Sequence, residues 1–190
     1  EVASSIAVET IAKTAPQSAD AARLAAAVEA ANAAVIEAAL NGLGKPGMGC
    51  TATCAYIEND TLAIAHVGDS RAYLLHEGTL IRVTRDHSYV EELVDAGEIT
   101  ADEARVHPNR SVITRALGSD PAMYADHFTL HIEEGDRLIL CSDGLSSMIP
   151  DSDIENIATQ SSTAQICVDN LVDAALAAGG HDNVTVVVVD

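Results

Sequence analysis

Three acidic residues stand at the ends of apolar segments that have the composition of β-strands. Asp69 follows LAIAHVG, Asp143 follows RLILCS, and Asp182 comes shortly before VTVVVV. An ionised carboxylate is costly to bury without a partner, and carboxylate oxygens are preferred ligands of hard divalent cations. One such residue alone is more often a turn residue, because Asp beside Gly or Asn is common in turns. Three in the same strand-terminal setting are less readily explained as turn residues alone, so a cation site stays open beside that explanation.

Arginines near these aspartates are candidate phosphate ligands. Arg71 lies two positions after Asp69, and Arg110 and Arg115 lie in a polar stretch that also contains His and Pro. Arginine binds phosphate through two parallel hydrogen bonds. With ten Lys and Arg against 29 Asp and Glu, neutralisation of neighbouring carboxylates is the favoured role. A contact of Arg110 and Arg115 with a phosphoprotein stays open.

Histidines supply few further candidates. His66 lies within an apolar strand segment, where a hydrogen-bonded structural histidine is commoner than a ligand. His107 and His181 lie close to the polar motifs and remain candidates without an assigned role. The cysteines offer no alternative centre, because none forms a C-x-x-C pair and the one before Ser142 is not followed by a loop ending in Arg. They are expected to be buried thiols of a cytoplasmic protein.

The charge of the chain excludes several classes of partner. The net charge is −19, which would repel a nucleic-acid backbone or an anionic membrane surface. No run of about 18 apolar residues occurs, so the chain contains no membrane-spanning segment.

At 190 residues the length predicts one domain over 1–190.

The elements that must position the aspartates follow from periodicity and turn signals. Ala-rich helical patterns cover 2–13 and 18–41, and short runs rich in β-formers begin at Gly49. Turn residues at Asn59-Asp60, Glu77-Gly78 and Glu134-Gly135-Asp136 predict antiparallel pairing of consecutive strands. Two capping boxes within 86–117 predict a helical insertion, a candidate flap, and further helices are expected at 154–158 and 163–178. The order predicts an α+β fold.

Five motifs, taken in order, carry a family resemblance. They are VGDSRAYLL (67–75), TRDHS (84–88), HPNRSVITRALG (107–118), LCSDGLS (140–146) and GGHDNVTVVV (179–188). The series resembles the type 2C, or PPM, metal-dependent protein serine/threonine phosphatases in their bacterial form. A single S-D-G match is weak, whereas five in order are specific.

The resemblance implies an antiparallel β-sandwich flanked by helix pairs, with two Mn²⁺ or Mg²⁺ ions at one end. Carried over by motif, Asp143 and Asp182 would bind these ions, and Asp69 would hold a third, weaker ion together with Asp143. A metal-bound water would then hydrolyse phosphoserine or phosphothreonine in phosphoprotein substrates, opposing a serine/threonine kinase. Residues 86–117 would form the flap beside the site.

The chain departs from the family pattern at its start. Family members begin with two strands that carry a phosphate-binding Arg, and with a D-G-M-G-G-H run that supplies a bridging Asp and a general-acid His. None of these precedes Glu1, and Gly47-Met48-Gly49 has no Asp before it. We therefore expect a fragment without its N-terminal strands, inactive or weakly active, whose general acid cannot be assigned.

Other functions stay open beside hydrolysis. A pseudophosphatase would use the same fold to bind a phosphoprotein or regulator without turnover. A phosphatase dedicated to one regulatory protein would act on a narrow set of peptides. An acidic metal-storage protein is least favoured, because repeated D-x-D loops are absent.

Overall fold

The computed structural model describes all 190 residues, Glu1–Asp190. In chain order the elements are α1 (Val2–Thr14), α2 (Ala21–Leu40), β1 (Ala52–Glu58), β2 (Thr61–Val67), β3 (Arg71–His76), β4 (Thr79–Arg82), α3 (Tyr89–Asp95), α4 (Ala101–Val106), β5 (Asp126–His131), β6 (Arg137–Cys141), α5 (Asp143–Ser146), α6 (Asp151–Gln160), α7 (Ala164–Ala177) and β7 (Val186–Val189). No helix is long and apolar enough to cross a membrane. The predicted α+β class is confirmed.

The chain divides into two compact units. The first comprises Glu1–Gly68 and Asp86–Ile132, and the second comprises Asp69–Arg85 and Glu133–Asp190. Each unit contains one antiparallel sheet, of order β1-β2-β5 in the first and β4-β3-β6-β7 in the second. The single domain predicted for 1–190 and the flap predicted for 86–117 stay predictions.

In the first unit, the helix pair α1 and α2 covers one face of the three-stranded sheet. The buried residues of α2 include Leu24, Val28 and Val35. They pack with the small residues Ala63 and Ala65 of β2. Small side chains on the strand let the helix approach closely, and this explains an Ala-rich core with few aromatic rings.

In the second unit, helices α5 to α7 pack on the four-stranded sheet. Tyr73 of β3 and Ile139 of β6 form a buried cluster with Leu145, Ile154 and Leu171 from the three helices. The helix predicted at 154–158 extends over Asp151–Gln160. The one-turn helix α5, which Asp143 opens, was not predicted.

Two of the three predicted hairpins are confirmed. Asn59 and the pair Glu77-Gly78 adopt positive φ in the turns between β1 and β2 and between β3 and β4. The third prediction was wrong, because β5 pairs with β2 and β6 pairs with β3. Gly135 does form a turn with φ +99, but that turn connects strands of different sheets.

Candidate metal centre

Asp69 and Asp143 lie at the same end of the four-stranded sheet. In the antiparallel ladder between β3 and β6, Arg71 pairs with Cys141, and each aspartate is two residues beyond its member of that pair. Because β3 and β6 are antiparallel, the start of β3 and the end of β6 lie at the same end of the sheet. Both residues are half-buried. The sequence prediction placed both beside strands, and the pairing adds that they share one end.

The loop that carries Asp182 lies against the turn that carries Asp143. The Ser142 hydroxyl donates to the carbonyl oxygen of Asn183 at 3.3 Å and accepts from the N–H of Thr185 at 3.1 Å. The Ser142 N–H also donates to the Thr185 carbonyl at 3.0 Å. The Asp182 carboxylate accepts from the N–H of Asn183 at 2.7 Å, which fixes its orientation on the loop. The two predicted ligands thus lie on adjacent segments of one unit.

Gly144 determines how closely these two segments approach. A Cβ atom at this position would clash with the carbonyl oxygen of Asn183 and would lie 3.3 Å from the Cα of Val184. Gly144 lies within α5 and has no positive φ. Glycine is therefore required here for space and not for an unusual backbone angle.

The aspartates form a chemically suitable but partial set of ligands. No group of three or more His, Cys, Asp or Glu side chains is arranged to hold a metal ion. Asp182 is exposed, whereas Asp69 and Asp143 are half-buried. Mn²⁺ and Mg²⁺ favour oxygen ligands in roughly octahedral arrangements, and Mg²⁺ usually keeps several waters. The carboxylate oxygens are suitable ligands for these ions, but a complete coordination shell needs more ligands than these three aspartates supply.

Arg71 is engaged by a carboxylate and a phenol. Its guanidinium lies 3.5 Å from the Asp151 carboxylate and donates to the Tyr73 hydroxyl at 3.0 Å. Tyr73 donates in turn to Asp151 at 2.9 Å, and burial raises the pKa of this phenol. These contacts support the neutralising role and not the role of phosphate ligand.

Arg115 is likewise held by neighbours of the first unit. It donates to Asp126 at 2.6 Å and to the Tyr124 hydroxyl at 3.0 Å, with its guanidinium 4.1 Å from the centre of the Tyr124 ring. Burial raises the pKa of the Asp126 carboxyl, but hydrogen bonds from His87 and Arg115 outweigh it, so the pKa lies below its usual range. Arg110, by contrast, is exposed and reaches only the carbonyl of His107 at 3.5 Å.

His66 and His87 are buried structural histidines in the first unit. His66 hydrogen-bonds the Thr53 hydroxyl at 2.9 Å, as predicted, and its ring centre lies 4.9 Å from that of His87. The Nδ1 atom of His87 accepts from the N–H of Gly68 at 3.0 Å, so its proton resides on Nε2, which donates to Asp126 at 2.9 Å. His87 belongs to the TRDHS motif, but the sequence around it does not indicate that Gly68 and Asp126 are its partners.

The two remaining histidine candidates lie near backbone turns. His107 Nδ1 accepts from the N–H of Asn109 at 3.1 Å, and its ring centre lies 6.1 Å from that of Tyr89. The exposed His181 ring packs against Gly179, where a Cβ atom would lie 2.8 Å from Nε2. Neither contact assigns a catalytic role.

The sequence and fold are similar to those of known phosphatases. The model of the protein phosphatase 2C family matches residues 6–184. A curated serine/threonine phosphatase stp from Listeria welshimeri is 40% identical over 144 residues, which cover 76% of this chain and 57% of that protein. The chain therefore spans little more than half the length of this relative.

Solved structures show the same fold. The crystal structure of the Mycobacterium tuberculosis serine/threonine phosphatase PstP/Ppp superposes with a TM-score of 0.90 at 39% identity, over 98% of this chain and 80% of that chain. The catalytic domain of serine/threonine protein phosphatase PstP in complex with two manganese ions gives 0.87 at 36% identity, over 100% and 81% of the two chains. The predicted fold class is confirmed by these superpositions.

Proposed function

The chain belongs to the protein phosphatase 2C family, and on this premise we propose that the protein hydrolyses phosphoserine and phosphothreonine in phosphoproteins. The cofactors would be two Mn²⁺ or Mg²⁺ ions, with a third bound more weakly. The observation that carries the proposal is the contact between the Asp143 turn and the Asp182 loop at one end of the four-stranded sheet.

This arrangement supports the proposed ligands. Asp143 and Asp182 would hold the two metal ions, and Asp69 would share the third ion with Asp143, which lies at the same end of the sheet. When bound, the ions lower the pKa of a water molecule and neutralise phosphate charge. A related phosphatase domain was crystallised with two manganese ions, which supports the choice of metal.

The acidity of the chain makes this neutralisation necessary. A phosphomonoester carries about two negative charges near neutral pH, and the chain carries a net charge of −19. Without bound cations its field would oppose substrate approach. Arg110 is the exposed cation of the 86–117 segment and is the proposed contact for a phosphoprotein. Arg71 and Arg115 instead form ion pairs with neighbouring carboxylates.

We expect the isolated chain to show weak activity or none. Its aspartates provide only part of a binuclear coordination shell, since no cluster of three or more potential ligands is formed. A serine/threonine kinase as the opposing enzyme and a cytoplasmic location belong to the same proposal. Four free cysteines are typical of a reducing compartment.

Binding without turnover is the second candidate function. It is favoured by the same shortage of converging ligands, because an incomplete site can recognise a phosphoprotein and leave the phosphate in place. The two functions differ in phosphate release. A phosphatase releases phosphate from the phosphopeptide, whereas a pseudophosphatase binds the phosphopeptide and releases none.

The test is phosphate release from a phosphothreonine peptide in Mn²⁺ by the naturally encoded protein that contains this chain. The double variant Asp143→Ala/Asp182→Ala should reduce release to background. Asp153→Ala/Asp173→Ala is the matched control, because it removes two exposed carboxylates of the same unit and should retain activity. Release that survives the first pair contradicts the ligand assignment, and peptide binding without release by the unmodified protein supports the pseudophosphatase.

A further inference from the structure

The hydroxyl of Ser142 is used in an unusual way. Ser142 is the N-cap residue of α5, yet its side chain makes no capping hydrogen bond. A serine at this position normally accepts from a backbone N–H of the first helical turn. Here the oxygen instead accepts from Thr185 and donates to Asn183, both on the loop between α7 and β7.

These bonds connect the neighbours of the two proposed ligands. Ser142 immediately precedes Asp143, and Asn183 immediately follows Asp182. On the other side of Asp143, Gly144 packs against the same Asn183 carbonyl. Asp143 is thus flanked on both sides by residues that contact the Asp182 loop.

The Asp182 loop has little regular structure of its own to hold it. Helix α7 ends at Ala177, and β7 begins at Val186. Asp182 is exposed and its carboxylate accepts from the N–H of the next residue. The contacts with Ser142, together with the packing of Gly144 against Asn183, hold this loop against the end of β6.

We propose that Ser142 is a positioning residue that sets the separation of Asp143 and Asp182 and thereby the affinity of the site for Mn²⁺. The inference rests on the proposed function, since it takes both aspartates as metal ligands. Residues that orient metal ligands through hydrogen bonds typically change metal affinity about 10- to 100-fold when mutated. Ser142 would touch neither the ion nor the substrate and would act only through the two loops.

The test compares two nearly isosteric replacements in the naturally encoded protein. Ser142→Thr keeps the hydroxyl, and Ser142→Val removes it at the same side-chain shape. Mn²⁺ affinity is measured by titration calorimetry and by the electron paramagnetic resonance signal of free Mn²⁺, so the readout does not depend on turnover. We expect Ser142→Thr to remain within about threefold of the unmodified protein and Ser142→Val to bind about 10- to 100-fold more weakly.

Ser161→Ala separates positioning from general stability. Ser161 is buried in the same unit, and its hydroxyl donates to the carbonyl of Ile157 at 2.7 Å, so its loss also removes a hydroxyl hydrogen bond. Unfolding temperatures in EDTA should fall by similar amounts in Ser142→Val and Ser161→Ala, while only Ser142→Val should lose Mn²⁺ affinity. Equal Mn²⁺ affinity in Ser142→Thr and Ser142→Val, or an equal loss in Ser161→Ala, would overturn the positioning role.

A third variant distinguishes this inference from the proposed function. Asp143→Asn should weaken Mn²⁺ binding more than Ser142→Val does. If Asp143→Asn lowers the affinity and Ser142→Val does not, the positioning role alone is overturned. If Asp143→Asn binds Mn²⁺ as the unmodified protein does, the metal site fails and the inference fails with it.

Discussion

Gly144 is a single residue whose lack of a side chain allows the Asp143 turn to contact the Asp182 loop. Its Cα approaches the Asn183 carbonyl so closely that a Cβ atom would clash with it, and this Cβ would also lie 3.3 Å from the Cα of Val184 on the same loop. A methyl group would push the Asp182 loop away from the Asp143 turn. The effect would reach the proposed ligands without altering either carboxylate.

Gly144→Ala should therefore destabilise the second unit and weaken Mn²⁺ binding. Overpacking of this kind typically costs about 1–3 kcal/mol of unfolding free energy, which urea unfolding measures. Ser147→Ala is the control in the same segment, because its hydroxyl bonds only the Asp143 carbonyl one turn earlier and its loss should cost under about 1 kcal/mol. Equal stability and Mn²⁺ affinity in Gly144→Ala and the unmodified protein would show that the close approach is dispensable.

The placement of Asp69 and Asp143 beside strand ends was predictable from sequence, because strand ends are visible as breaks in apolar runs. Asp69 and Asp143 follow such runs, and the structure places them at one sheet end. The role of Ser142 was not predictable, because a serine before a helix normally caps it. Only the path of a loop about 40 positions later decides that its hydroxyl bonds Asn183 instead.

At the scale of elements, helix α6 is anchored by an arginine outside it. Arg137 is buried and donates from Nη1 to the carbonyls of Ala158 at 2.7 Å and Ser161 at 2.9 Å. Its other nitrogens bind the Asp190 carboxylate at 2.6 and 3.0 Å. One side chain thus satisfies carbonyls at the C-terminal end of α6, which have no partner within the helix.

Arg137→Met should lower the unfolding free energy by about 2–4 kcal/mol, because it leaves two buried carbonyls without their donor, whereas the half-exposed Asp190 carboxylate remains hydrated. Arg137→Lys should recover only part of this loss, since an ammonium cannot reproduce the planar fork. Urea unfolding followed by circular dichroism measures both. A Lys variant as stable as the unmodified protein would show that charge alone suffices.

The pairing of elements was only partly predictable. The turns at Asn59 and Glu77 give hairpins, as their residue types indicate. The turn at Gly135 has similar chemistry, yet its flanking strands pair with β2 and β3. Local turn residues determine where a chain reverses, whereas the pairing of a strand depends on side chains from distant segments.

At the scale of the whole molecule, stability should depend on pH through the His76–Asp136 pair. The two side chains lie 2.6 Å apart, and the hydrogen bond to Asp136 raises the pKa of His76 above its usual value. The stabilisation is complete below the unfolded-state pKa of about 6.5 and is lost as pH rises through the higher folded-state pKa.

His76→Gln should therefore be less stable than the unmodified protein near pH 6 and should approach it at higher pH. Urea unfolding free energies measured between pH 5.5 and 9 on both proteins check this. A difference that stays constant across the range, or grows with pH, would contradict the ion pair.

Asp143 and Asp182 are proposed to hold metal together at the end of the four-stranded sheet. Crystals of the naturally encoded protein grown with Mn²⁺ test it through anomalous scattering at the manganese edge. We expect an anomalous peak about 2.0–2.6 Å from carboxylate oxygens of both residues, and its loss in the Asp143→Ala/Asp182→Ala variant. Manganese bound elsewhere, with neither carboxylate as a ligand, would rule out the proposed metal site.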